Sequence, residues 1–114
     1  MIGVVIAMQS EADILLEEMQ ITQSLKISGK HVHVGTAYGK DVALCVCGVG
    51  KVNAALGAQI LISEFHAEKL LNFGVAGGLN SSTELCNVYQ IALAVQFDFD
   101  LVQLNGTKMG TLNE

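Results

Sequence analysis

The sequence predicts an α/β fold: a mixed central β-sheet flanked by helices. Three observations predict it. Residues 2–8 and 42–47 are unbroken apolar runs, as strands buried on both faces require. A long helix-period segment, residues 51–65, follows the second run almost directly. Glycine-containing breaks divide the strand-like residues between 24 and 48, which is the mark of hairpins. Crossover helices combined with hairpins give a sheet of mixed direction.

The elements follow in order. Ser10 ends the first run and is placed to cap a helix over residues 10–20, with Asp13 as a partial capping box. Ile14, Leu15, Leu16 and Met19 then face inward, and Asp13, Glu17 and Glu18 outward. Strands are expected at 24–28, 31–38 and 41–48, broken at Gly29-Lys30 and Gly39-Lys40. The third is apolar throughout 42–47, so it is central. The helix 51–65 is apolar nearly all round, with Val52, Leu56 and Ile60 on one stripe and Ala54, Ala58, Leu61 and Phe65 on another. A sheet covers one side of such a helix, and something else must cover the other. A strand at 69–75 ends in the turn Ala76-Gly77-Gly78, and a further strand is expected at 89–96. From Asn105 onward no periodicity remains.

Composition narrows the function. The chain has 114 residues, of which 51% are hydrophobic and 15% charged, against about 25% charged in an ordinary domain. Mean hydropathy is +0.46. A chain this small has more surface per residue and should be more polar than average. Much of its surface is therefore expected to meet a partner or the rest of a larger fold. Net charge is −5, and all six basic residues are lysines, which argues against nucleic-acid binding. No apolar run approaches the roughly 20 residues of a membrane span. The first apolar run lacks a basic leader region, so no signal peptide is expected. Three cysteines without a framework spacing suit a reducing cytoplasmic setting. Proline is absent, and nothing in the sequence accounts for it.

Chemistry in an α/β sheet sits beyond the carboxyl ends of strands. Three such ends stand out: Ala7-Met8, Gly48-Val49-Gly50 and Val75-Ala76-Gly77. Asn53 fills the third glycine position of a dinucleotide fingerprint, so that match fails. His31 and His33 alternate on one strand, as do Cys45 and Cys47 on another. Pairing residue 33 with 46 and 34 with 45 across a Gly39-Lys40 turn puts histidines and cysteines on opposite faces, which disfavours a shared zinc site. No metal or cofactor is expected, and the cysteines read as small core residues. Asp98 and Asp100 point to opposite faces of an extended segment and read as turn or capping residues.

Three segments resemble a known family in the same order and at compatible spacing. They are Ile2-Gly3-Val4-Val5-Ile6-Ala7-Met8 with Glu11, Gly48-Val49-Gly50-Lys51-Val52-Asn53-Ala54-Ala55, and Asn72-Phe73-Gly74-Val75-Ala76-Gly77-Gly78-Leu79. They look like the N-terminal half of the 5′-methylthioadenosine/S-adenosylhomocysteine nucleosidases, within the nucleoside phosphorylase superfamily. The resemblance implies that residues 1–114 are the N-terminal part of a single nucleoside phosphorylase-like domain.

It also implies site roles. Glu11 would activate the water that attacks the ribose anomeric carbon. A carboxylate suits that task, because N-glycosidic cleavage passes through an oxocarbenium-like transition state. Ala7 and Met8 would lie near the ribose, Val49 near the 5′-alkylthio group, and Val75, Ala76 and Gly77 beside the nucleoside. A neighbouring subunit of a homodimer would supply Leu101 and Leu104. The ligand implied is an adenine nucleoside.

Two departures matter. Position 75 is often serine in the family and here is Val75, which leaves only backbone groups to help hold the water. The family's general acid and active-site arginine lie in a C-terminal half that these residues do not include, so the chain alone is expected to be inactive. Phosphorolysis is the nearest rival and needs cationic phosphate donors. No lysine precedes Lys26, which favours water as nucleophile. Futalosine-type substrates, or a non-catalytic binding module, are the further alternatives.

Overall fold

The structure is a computed structural model that describes residues 1–100, 102–106 and 108–110. It divides into two compact units, Met1–Gly77 and Gly78–Glu114. The first holds a five-stranded sheet in the order β2-β3-β4-β1-β5. Its elements are β1 (Ile2–Ile6), α1 (Gln9–Glu18), β2 (Gln20–Ile27), β3 (Lys30–Ala37), β4 (Lys40–Val46), α2 (Lys51–Phe65) and β5 (Lys69–Phe73). β1 runs parallel to both β4 and β5, while β2, β3 and β4 are antiparallel. The sheet is therefore mixed, and β4 lies at its middle, as its unbroken apolar run demands.

Alternation along the strands explains the three layers. Val4, Ile6, Val42 and Leu44 point to one face, where Ala12 and Met19 cover them with Leu15 and Leu16 alongside. Val5, Val32, Ala43, Cys45 and Cys47 point to the other, against Leu61 and its neighbours Ala54, Ala58 and Phe65. One position sets how closely α2 seats. A Cβ on Gly57 would lie 2.6 Å from Cys47 Cβ, so only glycine lets the helix approach this far.

Several expectations are corrected. α1 begins at Gln9 with Met8, not Ser10, as its N-cap. Glu11 rather than Asp13 supplies the carboxylate half of the capping box, accepting from the Met8 N–H. Ile14 is 75% exposed rather than inward, because the α1 stripe that meets the sheet runs through Ala12, Leu15, Leu16 and Met19. Both hairpin turns fall one residue earlier than expected, at Ser28-Gly29 and Tyr38-Gly39. All four residues have positive φ, the type I′ geometry that matches strand twist. The register consequently pairs His33 with Leu44 and Val32 with Cys45. That shift of two leaves every side chain on its expected face.

Strand limits also differ. β2 starts at Gln20, four residues early, because pairing continues past a bulge between Ile21 and Gln23; there the Thr22 hydroxyl bonds the Val34 carbonyl at 3.1 Å. β5 ends at Phe73 rather than 75.

The helix α2 spans the expected residues, but only its sheet side is covered. Val52, Leu56 and Ile62 stand exposed on the other.

In the second unit the strand expected at 89–96 does not form. Its alternating Ile91, Leu93 and Val95 are all exposed, so among the described residues the pattern has neither a partner strand nor a core to meet. Asn80 organises a turn through its side chain and carbonyl. Asp98 lies in a turn, and Asp100 Oδ1 accepts from Val102 N–H at 2.9 Å, capping a short helix α3 (Val102–Asn105). Both aspartates thus take the bland roles expected of them.

Candidate active site

The parallel strands β4, β1 and β5 end in register, with Ile6 beside both Val46 and Phe73. Their carboxyl ends therefore release three loops at one rim. The pairing of β1 with β4 extends a little further, since Cys47 and Gly48 donate to the Ile6 and Ala7 carbonyls at 2.8 and 3.1 Å. Topology alone thus gathers Ala7-Met8, Gly48-Val49-Gly50 and Gly74-Val75 into one place.

Glu11 stands in the first turn of α1, directly over that rim. One carboxylate oxygen, Oε2, accepts from Met8 N–H at 3.2 Å. The other, Oε1, accepts from Val75 N–H at 3.0 Å. The side chain is half-buried. A carboxylate offers about four lone-pair directions, so two donors fix its plane and leave acceptor capacity for a water. The helix dipole further favours the anion. Here the backbone of position 75 holds the carboxylate, and the exposed Val75 side chain takes no part in that bond.

The remaining expected residues lie on the same strand ends. Met8 and Val49 are exposed apolar groups, Val49 at 69%, and Ala7 is half-buried. Ala76 and Gly77 are exposed, and open space surrounds Gly77 on the side where a Cβ would point. Leu101 lies outside the described residues, as does the side chain of Leu104.

Two features escaped the sequence reading. Gly74 is the seat of the Glu11 carboxylate: a Cβ there would lie 3.0 Å from Oε1 and 3.4 Å from Cδ. A glycine directly before Val75, at a strand end, could have signalled such a close approach. The second is a side-chain chain beneath the β4–α2 turn. Lys30 Nζ donates to Asn53 Oδ1, and Asn53 Nδ2 donates to the Val49 carbonyl at 2.7 Å. Nothing local in the sequence links Lys30 to Asn53.

The other titratable groups read as structural. Burial pushes the Cys45 thiol up to about 11, with Cys47 adding and Lys30 opposing. Burial likewise raises Cys47, against its backbone hydrogen bond and the pull of Lys30. Neither is poised as a nucleophile. Burial, then His31, lowers the pKa of His33, whose Nδ1 lies 2.8 Å from the Ser24 hydroxyl. The histidines and cysteines occupy opposite faces. Among the described residues no group of three or more His, Cys, Asp or Glu side chains is placed to hold a metal, and no helix is long and apolar enough to cross a membrane.

The chain is similar to known proteins over nearly its whole length. The 5′-methylthioadenosine/S-adenosylhomocysteine nucleosidase of Maridesulfovibrio salexigens is 32% identical over 110 residues, covering 90% of this chain and 48% of that protein. The chain spans half or less of the length of the curated relatives it matches. Among solved structures, the S-adenosylhomocysteine nucleosidase of Streptococcus pyogenes in complex with 5-methylthiotubericidin superimposes with a TM-score of 0.81 at 27% identity, over 97% of this chain and 47% of that one. The futalosine hydrolase of Helicobacter pylori does so with a TM-score of 0.79 at 26% identity, over 99% and 48%. A family model described as the phosphorylase superfamily matches residues 1–105. With a parallel β4-β1-β5 core, a glutamate fixed at its rim and this match, the chain belongs to the phosphorylase superfamily.

Proposed function

We propose that this protein hydrolyses the N-glycosidic bond of 5′-thioether adenine nucleosides, 5′-methylthioadenosine and S-adenosylhomocysteine, and releases adenine. The observation that carries this reading is the Glu11 carboxylate, held by one backbone donor from each of two strand ends. Glu11 takes a proton from the attacking water as positive charge grows on the ribose. A fixed base of this kind contributes on the order of 10²- to 10⁴-fold. Ala7 and Met8 flank the ribose, Val49 meets the 5′ substituent, and Val75, Ala76 and Gly77 line the nucleoside. The similarity to nucleosidases supports these assignments.

By the same resemblance the general acid lies outside these 114 residues, so the chain by itself is expected to bind nucleoside without turning it over. The open side of α2, with Val52, Leu56 and Ile62 exposed, suits burial against a second copy in a homodimer, with Leu101 and Leu104 reaching the partner's site. Three free thiols suit a cytoplasmic location.

Product analysis on the full protein tests the reaction. Free 5-methylthioribose formed without phosphate supports hydrolysis; a phosphate-dependent ribose 1-phosphate product refutes it. The likeness to a futalosine hydrolase favours one second reading, in which the same Glu11 chemistry acts on futalosine. Turnover of futalosine but not of methylthioadenosine would select it.

A further inference from the structure

Asn53 sits in the first turn of α2, directly beneath the Gly48–Gly50 segment. Its amide works as a two-ended link. The oxygen accepts from Lys30 at the start of β3, and an ammonium can only donate. That fixes which end of the amide is which, and the nitrogen is left to donate to the Val49 carbonyl at 2.7 Å. There is little slack, since a Cβ on Gly48 would lie 3.2 Å from Asn53 Nδ2 and 3.3 Å from its Cγ.

The turn needs such a link. Gly48 and Gly50 hold φ of +94° and +104°, and glycine-rich backbone is the costliest to order. Gly50 caps α2 without any side-chain hydrogen bond. The lysine is also in an electrostatically poor place, because a cation near a helix N-terminus opposes the dipole. Its half-buried position is explained by the acceptor that Asn53 offers.

We propose that Asn53, oriented by Lys30, is a positioning residue that fixes Val49 and so sets affinity for the 5′ substituent of the nucleoside. This rests on the nucleosidase reading, which places Val49 against that substituent. Lys30 contributes only through Asn53, and neither residue touches the scissile bond.

The test compares Asn53→Ala, Lys30→Met and the double variant of the full protein on two substrates, 5′-methylthioadenosine and 5′-deoxyadenosine. Losing one hydrogen bond should raise KM for the thioether about tenfold, with kcat and the KM for 5′-deoxyadenosine within about twofold. Lys30→Met should shift the same KM by about threefold, and the double variant should be no worse than Asn53→Ala, since coupled residues do not add. Equal losses on both substrates, additive losses, or no loss would each overturn the positioning role. If Asn53→Ala does not fold, the substrate dependence of Lys30→Met decides alone. Ligand-induced shifts in Tm separate the two levels. A wild type that binds neither nucleoside overturns the nucleosidase reading and this role with it. A wild type that binds, with Asn53→Ala binding equally well, overturns this role only.

Discussion

Substituting Gly74 by alanine should separate activity from stability. The new Cβ would lie 3.0 Å from Glu11 Oε1, 3.4 Å from Cδ and 3.5 Å from Oε2. Those atoms end a flexible side chain, so they can retreat by a few tenths of an ångström. Retreat costs little free energy, and the alanine stiffens the unfolded chain, worth about 0.4–1 kcal/mol in the other direction. Net stability should change by less than about 1 kcal/mol. Catalysis has less tolerance. A misplacement near 1 Å costs about 10²-fold, so a few tenths should lower kcat roughly 3- to 10-fold by lengthening the Val75 N–H···Oε1 bond. Gly57→Ala is the matched control. Its Cβ would lie 2.6 Å from Cys47 Cβ, an atom tied to the backbone. Overpacking of about 1–3 kcal/mol is set against about 1 kcal/mol of helix propensity gained, for a net loss of about 0–2 kcal/mol. Adenine release and denaturant midpoints of both full-length variants provide the assay. Gly74→Ala with unchanged kcat, or with a stability loss well beyond about 1 kcal/mol, would refute the seat assigned to Glu11.

Glu11→Gln should cut kcat by about 10²- to 10⁴-fold while nucleoside binding persists; undiminished turnover removes Glu11 from its role. Leu61→Ala, at a fully buried position, should cost about 2–5 kcal/mol by denaturation, and a loss under 1 kcal/mol would contradict the packing of α2. Cys45 has a folded pKa raised above its unfolded value, so the native state keeps the proton longer and stability must fall as pH rises. Wild type should therefore lose stability relative to Cys45→Ala between about pH 9 and pH 11, and parallel curves would refute this. Leu56→Glu, on the exposed side of α2, should turn the proposed homodimer of the full protein into a monomer by sedimentation without unfolding it; a wild type that is already monomeric, or an unchanged mass of the variant, would refute the role proposed for this face.

Much of this fold was legible because its central pieces are apolar at every position. The β4 run could only be central, and the small and apolar residues of α2 could only pack on a sheet. The faces of His31, His33, Cys45 and Cys47 came out correctly despite a register shifted by two, since parity alone decides them. The turns were misplaced because Ser28 and Tyr38, unlike their glycine neighbours, carry no mark of the positive φ they adopt. The strand expected at 89–96 failed for a different reason: alternation describes a surface that fits a sheet, and does not provide the sheet. At the candidate site, the motif pointed to Glu11, and the structure puts its carboxylate at the strand-end rim. Its anchorage to Val75 and the Lys30–Asn53–Val49 link were not, because both join residues far apart in the chain.

The placement of β1 has a kinetic consequence. The β2-β3-β4 hairpins pair near neighbours, but β1 is inserted between β4 and β5, with Ile2 beside both Val42 and Lys69. Parallel pairing across such separations must wait for large loops to close. Glu11 arrives with β1, already bonded locally to Met8, but the Val75 amide arrives with β5, so the donor that completes its anchorage reaches it only through that late seam. A chain with its hairpins formed and β1 undocked would have most of its antiparallel ladder and no oriented carboxylate. During refolding, amide protection in β2–β4 should therefore precede recovery of nucleoside binding.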